Sequence, residues 1–162
     1  MSELATRIVA ALAAKHFRVA VAESLTGGLL VAEFVAVPGV SSVLNGGVVA
    51  YNTALKHSVL GVDAGLLEEH GAVHPRVAEQ MADRVRGALA VDGRPANVGL
   101  STTGVAGPDW QDGQPPGTVF LGIAVGSAVR SVRLQLSGDR GAIRRATVSE
   151  SLLELSRSLL EG

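Results

Sequence analysis

The sequence predicts a three-layer α/β fold around a mixed five-stranded sheet, mostly parallel with one antiparallel strand. Three observations carry the prediction. Short apolar runs alternate with helical patterns as far as Gly104, as parallel strands joined by crossover helices do. Two later runs, TVFLGIAVG and VRSVRLQLS, are separated only by Ser127-Ala128, so they form a hairpin and one strand is reversed. The chain then closes with a long amphipathic stretch.

Each element has its own signal. A first helix runs from Ser2, a capping residue, to Lys15, with Ile8, Ala11, Leu12 and Lys15 at helical spacing. RVAVA (Arg18–Ala22) is an apolar run suited to a buried strand. TGGLLVAEFVAV (Thr26–Val37) is helical and ends at Pro38-Gly39. GGVVAYN (Gly46–Asn52) is the second strand, and ALKHSVLG and AGLLEEHG are short helices closed by glycine. PRVAEQMADRVRGALA (Pro75–Ala90) starts with a proline suited to a first turn and carries Val77, Met81, Val85 and Leu89 on one face. NVGLSTTG (Asn97–Gly104) is the third strand, followed by a Gly/Pro/Asp-rich loop to Pro116. Arg130, Arg133 and Gln135 interrupt the apolar pattern of the last strand, which suits an edge. The final helix spans about Asp139 to Glu161, with a stripe of Val148, Leu152, Leu155 and Leu159.

Composition narrows the function. A chain of 162 residues fits one domain over 1–162, and 47% apolar with 18% charged residues argues against disorder. The net charge of -1 gives no electrostatic footprint for nucleic acid or an anionic membrane. No apolar run reaches the length of a membrane span, and the N-terminal stretch is amphipathic, unlike a signal peptide. With no cysteine, disulfides and thiol chemistry are excluded, and a reducing cytoplasm fits. Mean hydropathy of +0.33 leads us to expect a homo-oligomer that covers surplus apolar surface, with the last strand and VPGVSSVL as contacts.

Ligands of open α/β sheets bind beyond the carboxyl ends of parallel strands. Three unusual segments fall there: Glu23-Ser24-Leu25-Thr26-Gly27-Gly28, then Tyr51-Asn52 with Lys56 one turn later, then Thr102 to Pro108. Gly27 and Gly28 can bring backbone N–H groups at a helix start to a phosphate or carboxylate. Equally, Thr26 can cap the helix and the glycines can serve turn geometry alone. Neither a Walker loop nor a dinucleotide fingerprint is completed. Ser24 is a candidate nucleophile, with Thr26 as competitor, and it needs a base. Lys56, one of two lysines, can act as base if burial removes its proton; otherwise it is a surface lysine. Tyr51 can position Lys56 or touch a ligand, or pack on the core. Thr103, Gly104 and Gly107 suggest a second turn rich in donors. His70 and His74 are separated by Gly71 and precede Pro75, and no third ligand accompanies them, so no metal is expected, while a histidine base at either is the weakest reading. His16 and His57 read as surface positions. Arg140, Arg144 and Arg145 can meet a phosphate or surface acids.

AESLTGGLL, VPGVSSVLNGGVVAYN, LEEHGAV, STTGVAGPD, PPGTVFLGIA and GDRGAIRRATV resemble, in order and spacing, the CinA C-terminal domain family, over nearly the whole chain. The family includes stand-alone nicotinamide mononucleotide (NMN) amidohydrolases. The resemblance implies a three-layer α/β fold and hydrolysis of the NMN carboxamide to nicotinate mononucleotide and ammonia, with no metal or organic cofactor. It places the family serine on Ser24, its Tyr and Lys on Tyr51 and Lys56, its glycine turn on Thr103 to Pro108, and its arginines on Arg140 and Arg144-Arg145. On this reading Ser24, Lys56 and Tyr51 are catalytic. Thr26, Gly27, Gly28, Thr103, Gly104, Gly107 and Arg145 are substrate-binding. The alternative is a non-catalytic nucleotide-binding or regulatory module using the same turns. The sequence departs from the family pattern at Leu25, at Asn52 and Thr53 beside the proposed base, at Trp110, where glycine is common, and at Gln114-Pro115-Pro116.

Overall fold

The computed structural model describes residues 2–160, so Glu161, the expected end of the last helix, lies outside the described residues. In chain order the elements are α1 (Glu3–Ala14), β1 (Val19–Glu23), α2 (Leu29–Val35), a 3₁₀ turn (Val40–Ser42), β2 (Leu44–Val49), α3 (Thr53–Ser58), α4 (Ala64–His70), α5 (Pro75–Ala88), β3 (Val98–Gly104), β4 (Thr118–Val125), β5 (Ala128–Gln135) and α6 (Arg140–Leu160). The strands form one sheet in the order β2-β1-β3-β4-β5. β1 pairs in parallel with β2 and β3, whereas β4 runs antiparallel to both β3 and β5. One strand, β4, therefore opposes the rest, as the hairpin required. Its register, Val125 opposite Ala128, leaves Gly126 and Ser127 as the connection rather than Ser127-Ala128.

The two faces of the sheet are covered differently. α1, α2 and α6 bring Ile8, Leu12, Leu30, Phe34, Leu152 and Leu155 against Val19, Val21, Leu100 and Leu121. On the other face Val77, Met81 and Val85 of α5 meet Ala20 and Ala22, joined by Leu60, Val62 and Leu66. That second layer sits close to the strands. A side chain at Gly99 or Gly122 would collide with the carbonyls of Ala82 and Ala78, so the absence of Cβ there lets α5 lie on the backbone of the sheet. β1 and β3 are buried along their whole length, which explains the apolar run Val19–Ala22 of β1, while in β3 the buried Ser101 and Thr103 hydroxyls donate to the Ala78 and Ala72 carbonyls. No helix among the described residues is long and apolar enough to cross a membrane.

This topology puts the ends of β1, β2 and β3 at one edge. Ser24, Tyr51 and the loop after Gly104 therefore meet across adjacent strands.

Candidate active site

β1 ends at Glu23, a fully buried carboxylate. Its two oxygens accept the backbone N–H groups of Leu30 (2.9 Å) and Val31 (3.1 Å) at the start of α2. The helix thus carries its own anion at its positive end, which suits both the unpaired N–H groups and the dipole there. Gly27 and Gly28, at φ 58° and 103°, turn the chain back in left-handed conformations so that the helix starts at Leu29 rather than Thr26. Thr26 is not the cap. Its hydroxyl is fully buried and lies 2.9 Å from the Thr102 hydroxyl. Ser24 N–H donates to the Thr102 carbonyl (3.1 Å) and hydroxyl (3.3 Å). The turn is therefore fastened to the end of β3, and Ser24 is held with little freedom.

Lys56 comes from the next strand's exit. Asn52 caps α3 by accepting from Ala54 N–H at 2.9 Å, and that short helix points Lys56 inward. The side chain is fully buried. Its Nζ donates to Ala50 O (2.7 Å) and Tyr51 O (3.3 Å) and lies 3.0 Å from Ser24 Oγ. Burial lowers its pKa from 10.5 to about 8, opposed by the Asp112 carboxylate, which favours the charged form. In the neutral amine two N–H groups suffice for the two carbonyls. The lone pair is then left facing the Ser24 hydroxyl, the arrangement a general base needs.

Ser24 opens into a cavity of about 350 Å³, lined also by Tyr51, Thr103, the loop from Gly104 to Gln111, and Arg140. Arg140, in the first turn of α6, donates to Gly107 O (2.5 Å) and to the Tyr51 hydroxyl (3.1 Å), so it ties the loop to Tyr51 across the mouth. The N–H groups of Leu25, Ala106 and Gly107, all residues of the lining, make no hydrogen bond among the described residues. They are the candidate donors for an oxyanion or a phosphate.

Of the residues singled out from sequence, Ser24, Tyr51, Thr103, Gly104 and Gly107 line one cavity, with Lys56 directly behind Ser24. The Thr103 hydroxyl donates its proton to Ala72 O at 2.7 Å, so only its acceptor lone pairs remain for a ligand. Thr26, Gly27 and Gly28 do not line the cavity. The helix-start site expected for a ligand anion is occupied by Glu23. Arg145 does not line the cavity either. It lines a separate groove with Leu29, Ala32 and Val148, because neighbouring helical residues point about 100° apart. Arg144 instead holds the Leu25 and Thr26 carbonyls at 2.9 and 3.2 Å. The arginine that reaches the cavity is Arg140. His70 and His74 stack on one another at 4.3 Å, and neither lines the cavity. Sequence reading gave no role to Glu23 or Thr102 and did not single out Asp112. Only Glu23 carried a local signal, an acid at the end of an apolar strand.

The comparisons agree with this architecture. The model of the CinA C-terminal domain matches residues 1–159. A CinA-like protein of Frankia casuarinae is 50% identical over 145 residues, covering 88% of this chain and 32% of its own length. One from an Anaeromyxobacter species is 46% identical over 151 residues, covering 93% and 36%. The chain thus spans about a third of these curated relatives. Among solved structures, a competence-damaged protein (CinA) superfamily protein from Klebsiella pneumoniae superposes with a TM-score of 0.92 at 30% identity, covering 99% of this chain and 98% of that one. A competence/damage inducible protein from Agrobacterium tumefaciens gives 0.87 at 32% identity, covering 97% and 93%. By its sequence over nearly every residue and by its fold, the chain belongs to the CinA C-terminal domain family.

Proposed function

We propose that this chain acts as a single amidohydrolase domain that converts the carboxamide of nicotinamide mononucleotide to a carboxylate, releasing ammonia. The observation that carries the reading is the 3.0 Å contact between Ser24 Oγ and a fully buried Lys56 whose pKa is lowered to about 8, at the wall of a cavity.

In the first half-reaction neutral Lys56 takes the Ser24 proton as Oγ bonds to the carboxamide carbon. The developing oxyanion is met by N–H donors of the lining, Leu25 being adjacent to the nucleophile. Collapse of this intermediate breaks the C–N bond, and the Lys56 ammonium returns the proton to the departing nitrogen, which leaves as ammonia. An ester on Ser24 remains. Water then attacks the ester, Lys56 takes its proton, and Oγ leaves with that proton restored. Tyr51 shapes the mouth and holds Arg140, whose remaining donors offer a phosphate a positive partner.

The test is ammonia release from NMN by the purified chain, beside Ser24→Ala. Turnover by the parent and at least a hundredfold loss in the variant, on the order expected for a nucleophile, supports the reading. Unaltered turnover in Ser24→Ala refutes the serine mechanism. NMN binding without turnover in the parent leaves the non-catalytic nucleotide-binding module as the function.

A further inference from the structure

The chain has one tryptophan and one tyrosine. Single exposed aromatics are ordinary on protein surfaces. Here both Trp110 (68% exposed) and Tyr51 (60%) line the same cavity, while Phe34 and Phe120 are buried. Tyr51 is held by Arg140, but among the described residues the Trp110 ring has no aromatic or cationic partner. Among the described residues the aromatic stack is His70 on His74, and the cation over a ring is Arg133 on Phe120 at 6.0 Å. Asp109, beside Trp110 in the same wall, takes part in no ion pair among the described residues. The cavity thus carries an unpaired carboxylate and an open indole, and also the guanidinium of Arg140.

We infer that Asp109 and Trp110 form the subsite for a planar, positively charged ring, and that they select the pyridinium form of the substrate. This rests on the amidohydrolase reading above. The chemistry is complementary at both ends. The indole face attracts a flat cation, the Asp109 carboxylate adds a counter-charge, and Arg140 suits the phosphate. NMN carries a pyridinium at one end and a phosphate at the other. A ring seated on Trp110 also brings its carboxamide into the cavity that Ser24 faces.

The test uses two probes, NMN and ribose 5-phosphate, which lacks the ring. Trp110→Ala is expected to raise KM for NMN about 2- to 30-fold, the range of cation–π contacts, with kcat little changed. Inhibition by ribose 5-phosphate stays as in the parent, and Trp110→Phe restores most of the loss. Because Trp110 is the sole tryptophan, its emission reports the contact directly. In Ser24→Ala, NMN quenches it saturably and ribose 5-phosphate does not. Equal weakening of both probes in Trp110→Ala makes the residue merely structural and overturns the inference. So does hydrolysis of NMN with no quenching, which leaves the amidohydrolase reading intact. So does emission already shielded from solvent before ligand is added. Quenching by NMN without hydrolysis in the parent keeps the subsite and removes the proposed reaction.

Discussion

Replacing Lys56 by methionine separates the electrostatic cost of the buried lysine from everything else. The folded protein holds this amine at a pKa of about 8, against 10.5 for a solvated lysine. At about 1.4 kcal/mol per pH unit that difference corresponds to about 3 kcal/mol. Below pH 8 the amine is protonated in both folded and unfolded chains, so its contribution does not vary with pH, and the folded state bears the full burden. Between pH 8 and 10.5 the unfolded chain still holds the proton and the folded one does not, so wild-type stability rises with pH. Above 10.5 the rise is complete. Methionine fills the same buried path without titrating. It leaves the Ala50 and Tyr51 carbonyls without their donor, at about 1–3 kcal/mol each if buried. The sign of the change at pH 7 is therefore not diagnostic, but its pH dependence is. Urea unfolding followed by circular dichroism at intervals between pH 7 and 10.5 should show the stability of Lys56→Met minus that of wild type falling by about 3 kcal/mol. All other titrating groups cancel in that difference. A flat difference would refute the claim that Lys56 is neutralised by burial.

Turnover should follow the same group. kcat/KM for NMN is expected to rise with pH through an inflection near 8, because the proposed mechanism needs the neutral amine as base. Asp112→Asn keeps an acceptor for Ala72 N–H but removes the charge that holds the Lys56 pKa up, so the inflection should move to lower pH; a move upward contradicts the assignment. Glu23→Gln retains one acceptor oxygen for two N–H groups, and thermal or urea unfolding should show a loss of about 1–3 kcal/mol. Thr26→Val should keep turnover within about tenfold, since the Thr26 hydroxyl faces Thr102; abolition of turnover would make Thr26 the nucleophile. Light scattering should give a mass above that of one chain, with Leu29 and Val35 on α2 and Val129 on β5 among the exposed apolar side chains available for contact; a monomer mass at all concentrations contradicts self-association.

The sequence disclosed what depends on local pattern. α5 was readable because Pro75 opens it and Val77, Met81 and Val85 recur at helical spacing. The layer order followed from helices alternating with buried strands. The start of α2 was hidden because its cap is not the adjacent Thr26 but Glu23, reaching past two glycines. β2 begins and ends earlier than its apolar run suggests. It pairs from Leu44, and Asn52 is already the cap of α3. Residue choice within the site divided in the same way. Ser24, Tyr51 and Lys56 stood out by type and by position at strand ends. The distinction between Arg140 and Arg145 depends on the direction of α6, and the influence of Asp112 on Lys56 crosses from the loop after β3 to α3. Contacts between segments far apart in sequence leave no periodic trace.

β2 is an edge strand, joined to the sheet through β1 alone, and it leads directly to the segment that carries Lys56. The carbonyl of Ala50 holds the lysine, and the Ala50 N–H holds Glu23 O at 2.9 Å. Peeling this edge from β1 would carry the amine away from Ser24 and return it to water, where it reprotonates, while β1, β3 and β4 stayed paired. Local opening of this kind requires less free energy than global unfolding. On the proposed mechanism, catalytic competence would therefore depend on a smaller cooperative unit than the fold, and mild denaturant or heat should silence the site while the bulk of the sheet still reports a native protein.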